Sequence, residues 1–541
     1  MSTNGDSLKF AKKATWPDRV MEERGEFTNT PYIDFSRPEN RKAMEAAIAK
    51  VRSELGRTYP LVLGGKEVEA EKTFESRNPA RPSEVIGTFA KAGQKEADIA
   101  IDAAVETFEE WKWTDAWTRA QYAWKAADLM EERRLELAAW MVVEVSKNWV
   151  EADADVAEAI DFLDYYGREA VRYGEGQELT PIPGEYPEGW FIPLGPVLVV
   201  PPWNFPMAIL CGMTTAAWVA GNTVVLKPSS DSPGIGWQYF KILQDIGLPE
   251  GVVNYMPGSG AQAGDYLVKH PQTRMIAFTG SMEVGLRINE EAAKVNEGQI
   301  WIKRTILEMG GKDAILVDSE ADIDSAVDGA LASAYGFQGQ KCSACSRLII
   351  VEDVYDEFME KFIPKVEAIT VGSTEDPDNY MGAVINESAM NDHLAYIEIG
   401  QDEGGKLVAG GGRDTGAGEG YFIQPTVITD VDPDSRLAQE EVFGPVLAVI
   451  KAKDYDHGLE IVNNTIYGLT GSIYTENPEK IEKGKKIFHA GNLYINRKCT
   501  GALVGGQPFG GFNMSGTDSK AGGREYLFLF TQPKNISTKA E

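Results

Sequence analysis

The chain has 541 residues, too many for one ordinary hydrophobic core, so two or three domains are expected. Hydrophobic residues make up 43% of it, which is not the profile of a disordered chain. Acidic residues outnumber basic ones by 82 to 53, for a net charge of −29, which disfavours a nucleic-acid surface and docking onto an anionic membrane.

Residues 1–60 read as an N-terminal extension. Its first 17 residues are polar and lack the apolar core of a secretion signal. One helix is expected over 40–54, with Met44, Ile48 and Val51 at helical spacing. Residues 61–68 read as a hairpin turned by Gly64-Gly65, and 76–79 as a turn. From 94 to 165 the pattern is mostly helical, with segments over 119–130, 135–145 and 152–165. Thr118 stands at capping-box spacing from Gln121 and is the expected cap of the first of these.

Four prolines interrupt 174–195, which reads as an extended excursion. Beyond Gly195, apolar strands alternate with helices: strands over 197–200, 223–226, 252–256 and 275–278, helices over 206–220 and 234–247. Such alternation predicts a buried parallel sheet. A second α/β series runs from Thr305 to Asn496. The apolar run 526–531 predicts a late strand that needs a partner edge. With the excursion at 174–195 it suggests arms that pair between subunits. No run approaches the roughly 20 apolar residues of a membrane helix.

The four cysteines, Cys211, Cys342, Cys345 and Cys499, form no disulfide framework and suit a reducing cytosol. Cys342 and Cys345 make a Cys-x-x-Cys pair, readable as a redox dithiol or half a zinc site. No second ligand pair accompanies it, so no metal is expected. Cys342 lies between a helical run and a strand, among glycines, amides and small hydroxyls, with Lys341 just before it. That setting suits a thiolate. A buried structural cysteine fits the spacing equally well.

Several other stretches carry chemistry. Thr279, Gly280, Ser281 and Gly285 follow a strand and open a helix, where free N–H groups can meet a phosphate. Their Gly-x4-Gly spacing is not the usual dinucleotide fingerprint. Lys227 and Ser230 also stand past a strand end and can grip ribose hydroxyls, although a surface lysine whose stem alone is buried has the same look. Two prolines restrict the backbone around Asn204, as a fixed oxyanion donor requires. Glu308 lies between apolar residues and a double glycine; if buried, it has the raised pKa of a general base.

These stretches, together with residues 440–446 and 508–511, resemble the aldehyde dehydrogenase family in order and spacing over most of 60–535. The resemblance implies an α/β fold: a Rossmann-type NAD-binding domain (61–173 and 196–306), an α/β catalytic domain (307–497), and β oligomerisation arms (174–195 and 518–541). It implies Cys342 as nucleophile, Glu308 as base and Asn204 as oxyanion donor. NAD is the implied cofactor, held by Pro202, Trp203, Lys227, Ser230, Thr279, Gly280, Ser281, Gly285, Glu441 and Phe443. Many relatives carry glutamate where Ser230 stands, so that position alone leaves NADP open.

Residues 336–346 and 500–509 are most similar to the members that oxidise glutamate γ-semialdehyde. Ser343, Gly501 and Ala502 then meet the substrate carboxylate, and Phe509 its aliphatic part. Glu158 is the implied partner of the ammonium group, among the competing acids Glu151, Asp153, Asp155 and Asp161. The implied role is oxidation to glutamate in proline degradation, by a cytoplasmic homo-oligomer. The alternatives are a dehydrogenase of another aldehyde and a silent scaffold with the same fold.

Overall fold

The computed structural model describes residues 16–540. The first fifteen residues of the expected N-terminal extension, and Glu541 of the expected C-terminal arm, lie outside the described residues.

Two seven-stranded sheets form the frame. Across the first, the strands run Arg304–Glu308, Met275–Thr279, Pro196–Val200, Thr223–Leu226, Val253–Tyr255, Leu61–Leu63 and Lys66–Val68. The first five are parallel, and the hairpin strands Leu61–Leu63 and Lys66–Val68 close the sheet antiparallel. Helices cover both faces, so every residue of Met275–Thr279 and Thr223–Leu226 is buried and no polar alternation remains. The second sheet runs Lys406–Ala409, Thr426–Thr429, Val446–Ala452, Cys345–Val351, Asp313–Val317, Thr470–Tyr474 and Asn492–Ile495. All its pairings are parallel except the first.

The longest helix, Trp149–Gly174, spans 26 residues and starts where the Asn148 side chain accepts from Glu151 N–H. It packs on the buried Ala208–Val219 helix through Phe162, Leu163 and Tyr166. Within this pair lies a buried ion pair, Lys147 Nζ to Asp155 at 2.7 Å. Asp155 also accepts from Ala208 N–H at 2.6 Å, which ties the ion pair to the start of the shorter helix.

Four local expectations differ from the structure. Residues 76–78 belong to a strand, Thr73–Asn78, and the turn falls just after it, where Asn78 accepts from Ala80 N–H. The helix Ala116–Glu132 is capped by Asp115, whose carboxylate takes both the Thr118 N–H and its hydroxyl. A charged acceptor at that place outcompetes the threonine. A further helix, Trp16–Arg24, was not expected; its one buried residue is Val20. Finally, Tyr526–Phe530 is a 3-10 turn rather than a strand. Tyr526, Leu527 and Phe530 turn inward while Phe528 stays exposed, and Tyr526 stacks on Tyr166 at 5.6 Å. The strand that follows, Thr531–Lys539, is polar and pairs antiparallel with Glu185–Pro193 over nine residues.

Candidate active site

The segment before Cys342 is held in an uncommon backbone. Phe337 (φ 48°), Gln338 (φ 57°) and Gly339 (φ 66°) all lie in the left-handed region. At Gly339 a Cβ would also run into the Gly444 carbonyl oxygen. Buried amides hold this arrangement. Gln338 donates to the carbonyls of Ser146 (3.0 Å) and Ala383 (2.9 Å), and Gln340 accepts from Ile385 N–H at 2.9 Å. Phe337 also packs under the Lys147 ammonium.

The result places Cys342 between two cavities, both of which it lines. Asn204 sits beside it, and one amide hydrogen donates to Gln340 O at 3.1 Å. Its second N–H is left to serve an oxygen at the same centre. Glu308 ends its strand facing the thiol's second cavity and accepts from Ser519 at 3.3 Å. Burial pushes Glu308 up to about 7. The Cys342 thiol is raised well above its ordinary range, first by burial and then by the carboxylates of Asp313, Glu441 and Glu308. This corrects the thiolate-friendly setting expected from the sequence. Lys341 gives no help: its Nζ pairs with Glu151 at 2.6 Å. Cys345 is buried, with its sulfur on Arg347 O, and lines neither cavity.

The first cavity is lined by Pro202, Trp203, Lys227, Ser230, Thr279, Gly280, Ser281, Glu441 and Phe443. Gly285 does not line it; that glycine lets the Met282–Ala293 helix lie against Met309. Ser281 caps that helix, which leaves first-turn N–H groups at the cavity. Lys227 is buried, and among the described residues its Nζ reaches only Pro228 O, at 3.4 Å. Burial pulls it down to about 8. A buried ammonium with so weak a partner suits hydroxyl acceptors of a ligand. Glu441 accepts from Gly311 N–H at 3.0 Å, and burial raises it to about 7. The residues therefore fit a dinucleotide: hydroxyl binding at Lys227, anion binding at Ser281, and an amide-binding carboxylate near the thiol.

The second cavity is lined by Glu158, Ser343, Gly501, Ala502 and Phe509, with Cys342 and Glu308. Glu158 differs from its neighbours on the helix. Glu151 pairs with Lys341, Asp153 with Arg134, Asp155 with Lys147, and Asp161 with Asn29 and Thr30. Glu158 has no hydrogen-bond or ion-pair partner among the described residues, and burial pushes it up to about 8. Phe162, Tyr166 and Tyr526 also wall this cavity and were missed. Glu158, Phe162 and Tyr166 stand at i, i+4 and i+8, so helical spacing pointed to the first two rings. Tyr526 comes from a distant turn and carried no such signal.

Residues 67–536 match the Aldehyde dehydrogenase family. The chain belongs to that family. Among curated aldehyde dehydrogenases, the 1-pyrroline-5-carboxylate dehydrogenase of Geobacillus thermodenitrificans is 53% identical over 94% of this chain and 99% of its own. Among solved structures, the 1-pyrroline-5-carboxylate dehydrogenase from Thermus with bound NAD is 50% identical, with a TM-score of 0.93 over 95% of this chain and 99% of that one. Betaine aldehyde dehydrogenase from Staphylococcus aureus, in complex with NAD+, is 30% identical with a TM-score of 0.86, over 92% and 98% of the two chains. For this aldehyde dehydrogenase, the two cavities meeting at one cysteine are thus the candidate cofactor and aldehyde sites.

Proposed function

We propose that this aldehyde dehydrogenase oxidises L-glutamate γ-semialdehyde, the open form of 1-pyrroline-5-carboxylate, to L-glutamate with NAD, in proline degradation. The observation that carries the substrate assignment is the second cavity. It combines a half-buried carboxylate, Glu158, which has no partner among the described residues, with the Ser343 hydroxyl, the Gly501–Ala502 backbone and the Cys342 thiol. Such a set matches an ammonium, a carboxylate and an aldehyde on one small molecule. The names of the relatives agree with it.

Cys342 attacks the aldehyde carbon and forms a thiohemiacetal. Glu308, titrating near neutrality, is the acceptor for the thiol proton. The second Asn204 N–H and the Cys342 backbone N–H stabilise the resulting oxyanion. Bound at Lys227, Ser281 and Glu441, NAD supplies the hydride acceptor. Cys342 is left carrying the acyl group as a thioester; Glu308, having passed the thiol proton to solvent, takes a proton from the attacking water and returns it to the departing Cys342 thiolate as glutamate is released. Residues 61–173 and 196–306 serve in this reading as the cofactor domain, and 307–497 as the catalytic domain. Within the segments 174–195 and 518–541, the paired strands Glu185–Pro193 and Thr531–Lys539 act as oligomerisation arms. The protein works in the cytoplasm; no helix among the described residues is long and apolar enough to cross a membrane.

The test is a steady-state assay of NADH formation that compares the semialdehyde with pentanal. A far higher kcat/KM for the semialdehyde is expected, and a preference for pentanal sinks the substrate assignment. Cys342→Ala should abolish turnover and keep NAD affinity; residual turnover would remove the thiol mechanism.

A further inference from the structure

We infer that Arg497 is the positioning residue that aims the Gly501–Ala502 backbone at the substrate carboxylate, and so sets selectivity for an aldehyde that carries one. This rests on the substrate reading above. Arg497 follows the edge strand Asn492–Ile495 of the second sheet. Its guanidinium lies over the Tyr494 ring, 4.2 Å from the centroid. Its own carbonyl is held by the Ser472 hydroxyl. One nitrogen, Nη2, donates to two successive carbonyls, Thr500 O at 2.9 Å and Gly501 O at 2.8 Å. Arg497 has no carboxylate partner among the described residues, so its charge is spent on this loop.

The consequence follows from peptide geometry. In a trans peptide the C=O and the next N–H point in opposite directions. Drawing the Thr500 and Gly501 carbonyls to Arg497 turns the Gly501 and Ala502 N–H groups away from it. Both of those residues line the substrate cavity. Neither N–H has an acceptor among the described residues. The turn needs Gly501, whose φ is 79°. A guanidinium on the carbonyl side also polarises each peptide and strengthens its N–H as a donor. Cys499 anchors the same stretch, with its N–H on Ser333 and its sulfur on the Ser343 carbonyl, so the loop is registered to the nucleophile segment.

A neutral aldehyde does not use these N–H groups, which makes the role separable from general structure. Arg497→Met and Arg497→Lys are assayed with the semialdehyde and with pentanal, and calorimetry reads the affinity for L-glutamate and for NAD. The methionine variant should raise KM for the semialdehyde on the order of ten- to a hundredfold. L-Glutamate affinity should fall by a similar factor, while semialdehyde kcat, pentanal kinetics and NAD affinity hold. The lysine variant should fall between, because an ammonium keeps the charge but not the fixed fork. Equal losses on both aldehydes overturn the positioning role and leave the substrate reading standing. A wild-type enzyme that prefers pentanal overturns the substrate reading itself. Should the methionine variant not fold, the lysine variant decides alone: an unchanged semialdehyde KM overturns the proposal.

Discussion

Glu308 and Glu158 are both carboxylates whose burial raises them toward neutral pH, yet their surroundings separate their tasks. Glu308 accepts from Ser519 and faces the thiol, and it titrates at about 7. Its basic form grows as pH rises through that value. Hydrolysis of the acyl-enzyme should therefore accelerate across neutral pH, and a pH profile of kcat should show this rising limb. Glu308→Gln should erase the limb and slow both the first turnover of NADH and the steady rate, read by stopped-flow and steady-state absorbance. Glu158 titrates at about 8 while it lacks a counter-charge. Only the ionised form can pair with an ammonium, so L-glutamate affinity should improve as pH climbs toward that value. Calorimetry on Glu158→Gln should show affinity weakened about tenfold or more and no longer pH-dependent in this range.

The element that decides the nucleophile's position is the left-handed turn of residues 337–339. Its strain is sustained by the Gln338 and Gln340 amides and by close contact of Gly339 with the Gly444 carbonyl. Gly339→Ala adds a side chain where φ is positive and no space exists. The expected cost is about 1–3 kcal/mol of stability, read as a lowered Tm. The displaced turn should also cost turnover more than NAD affinity, because Cys342 moves while Lys227 and Ser281 stay on the first sheet. Comparable losses in both would show that the turn serves the whole fold rather than the thiol.

At the scale of the molecule, two features lie outside the active site. The net charge of −29 makes the folded state repel itself. Screening shortens the range of that repulsion from about 30 Å at about 0.01 M salt to about 3 Å at about 1 M. Tm should rise over that interval in scanning calorimetry; a flat or falling Tm would show that the acids are already neutralised by local pairing. The paired strands Glu185–Pro193 and Thr531–Lys539 form a two-stranded ribbon on which Tyr186, Trp190 and Ile536 are exposed. Exposed apolar side chains on an isolated ribbon suit burial against another copy. Removing residues 531–541 should lower the assembly state in light scattering, and an unchanged mass would argue against the arms.

The sequence by itself determined the α/β alternation, because strands buried on both faces are written as continuous apolar runs. It also pointed to Cys342, Glu308 and Asn204, but only because their stretches together resemble one family's motifs; the local glycine and proline contexts alone fit a structural role as well. The hairpin at 61–68 was legible locally: its turn is a Gly-Gly pair. Other features depended on contacts far apart in the chain. The strand expected at 526–531 became an inward turn because Tyr166, some 360 residues earlier, offered its ring. Glu158 stood out only when its four acidic rivals were seen to be paired by residues from other elements. The upward shift of the Cys342 thiol also had no local cause. Burial and three carboxylates brought in by folding set it, and proximity of that kind is a property of the tertiary structure alone.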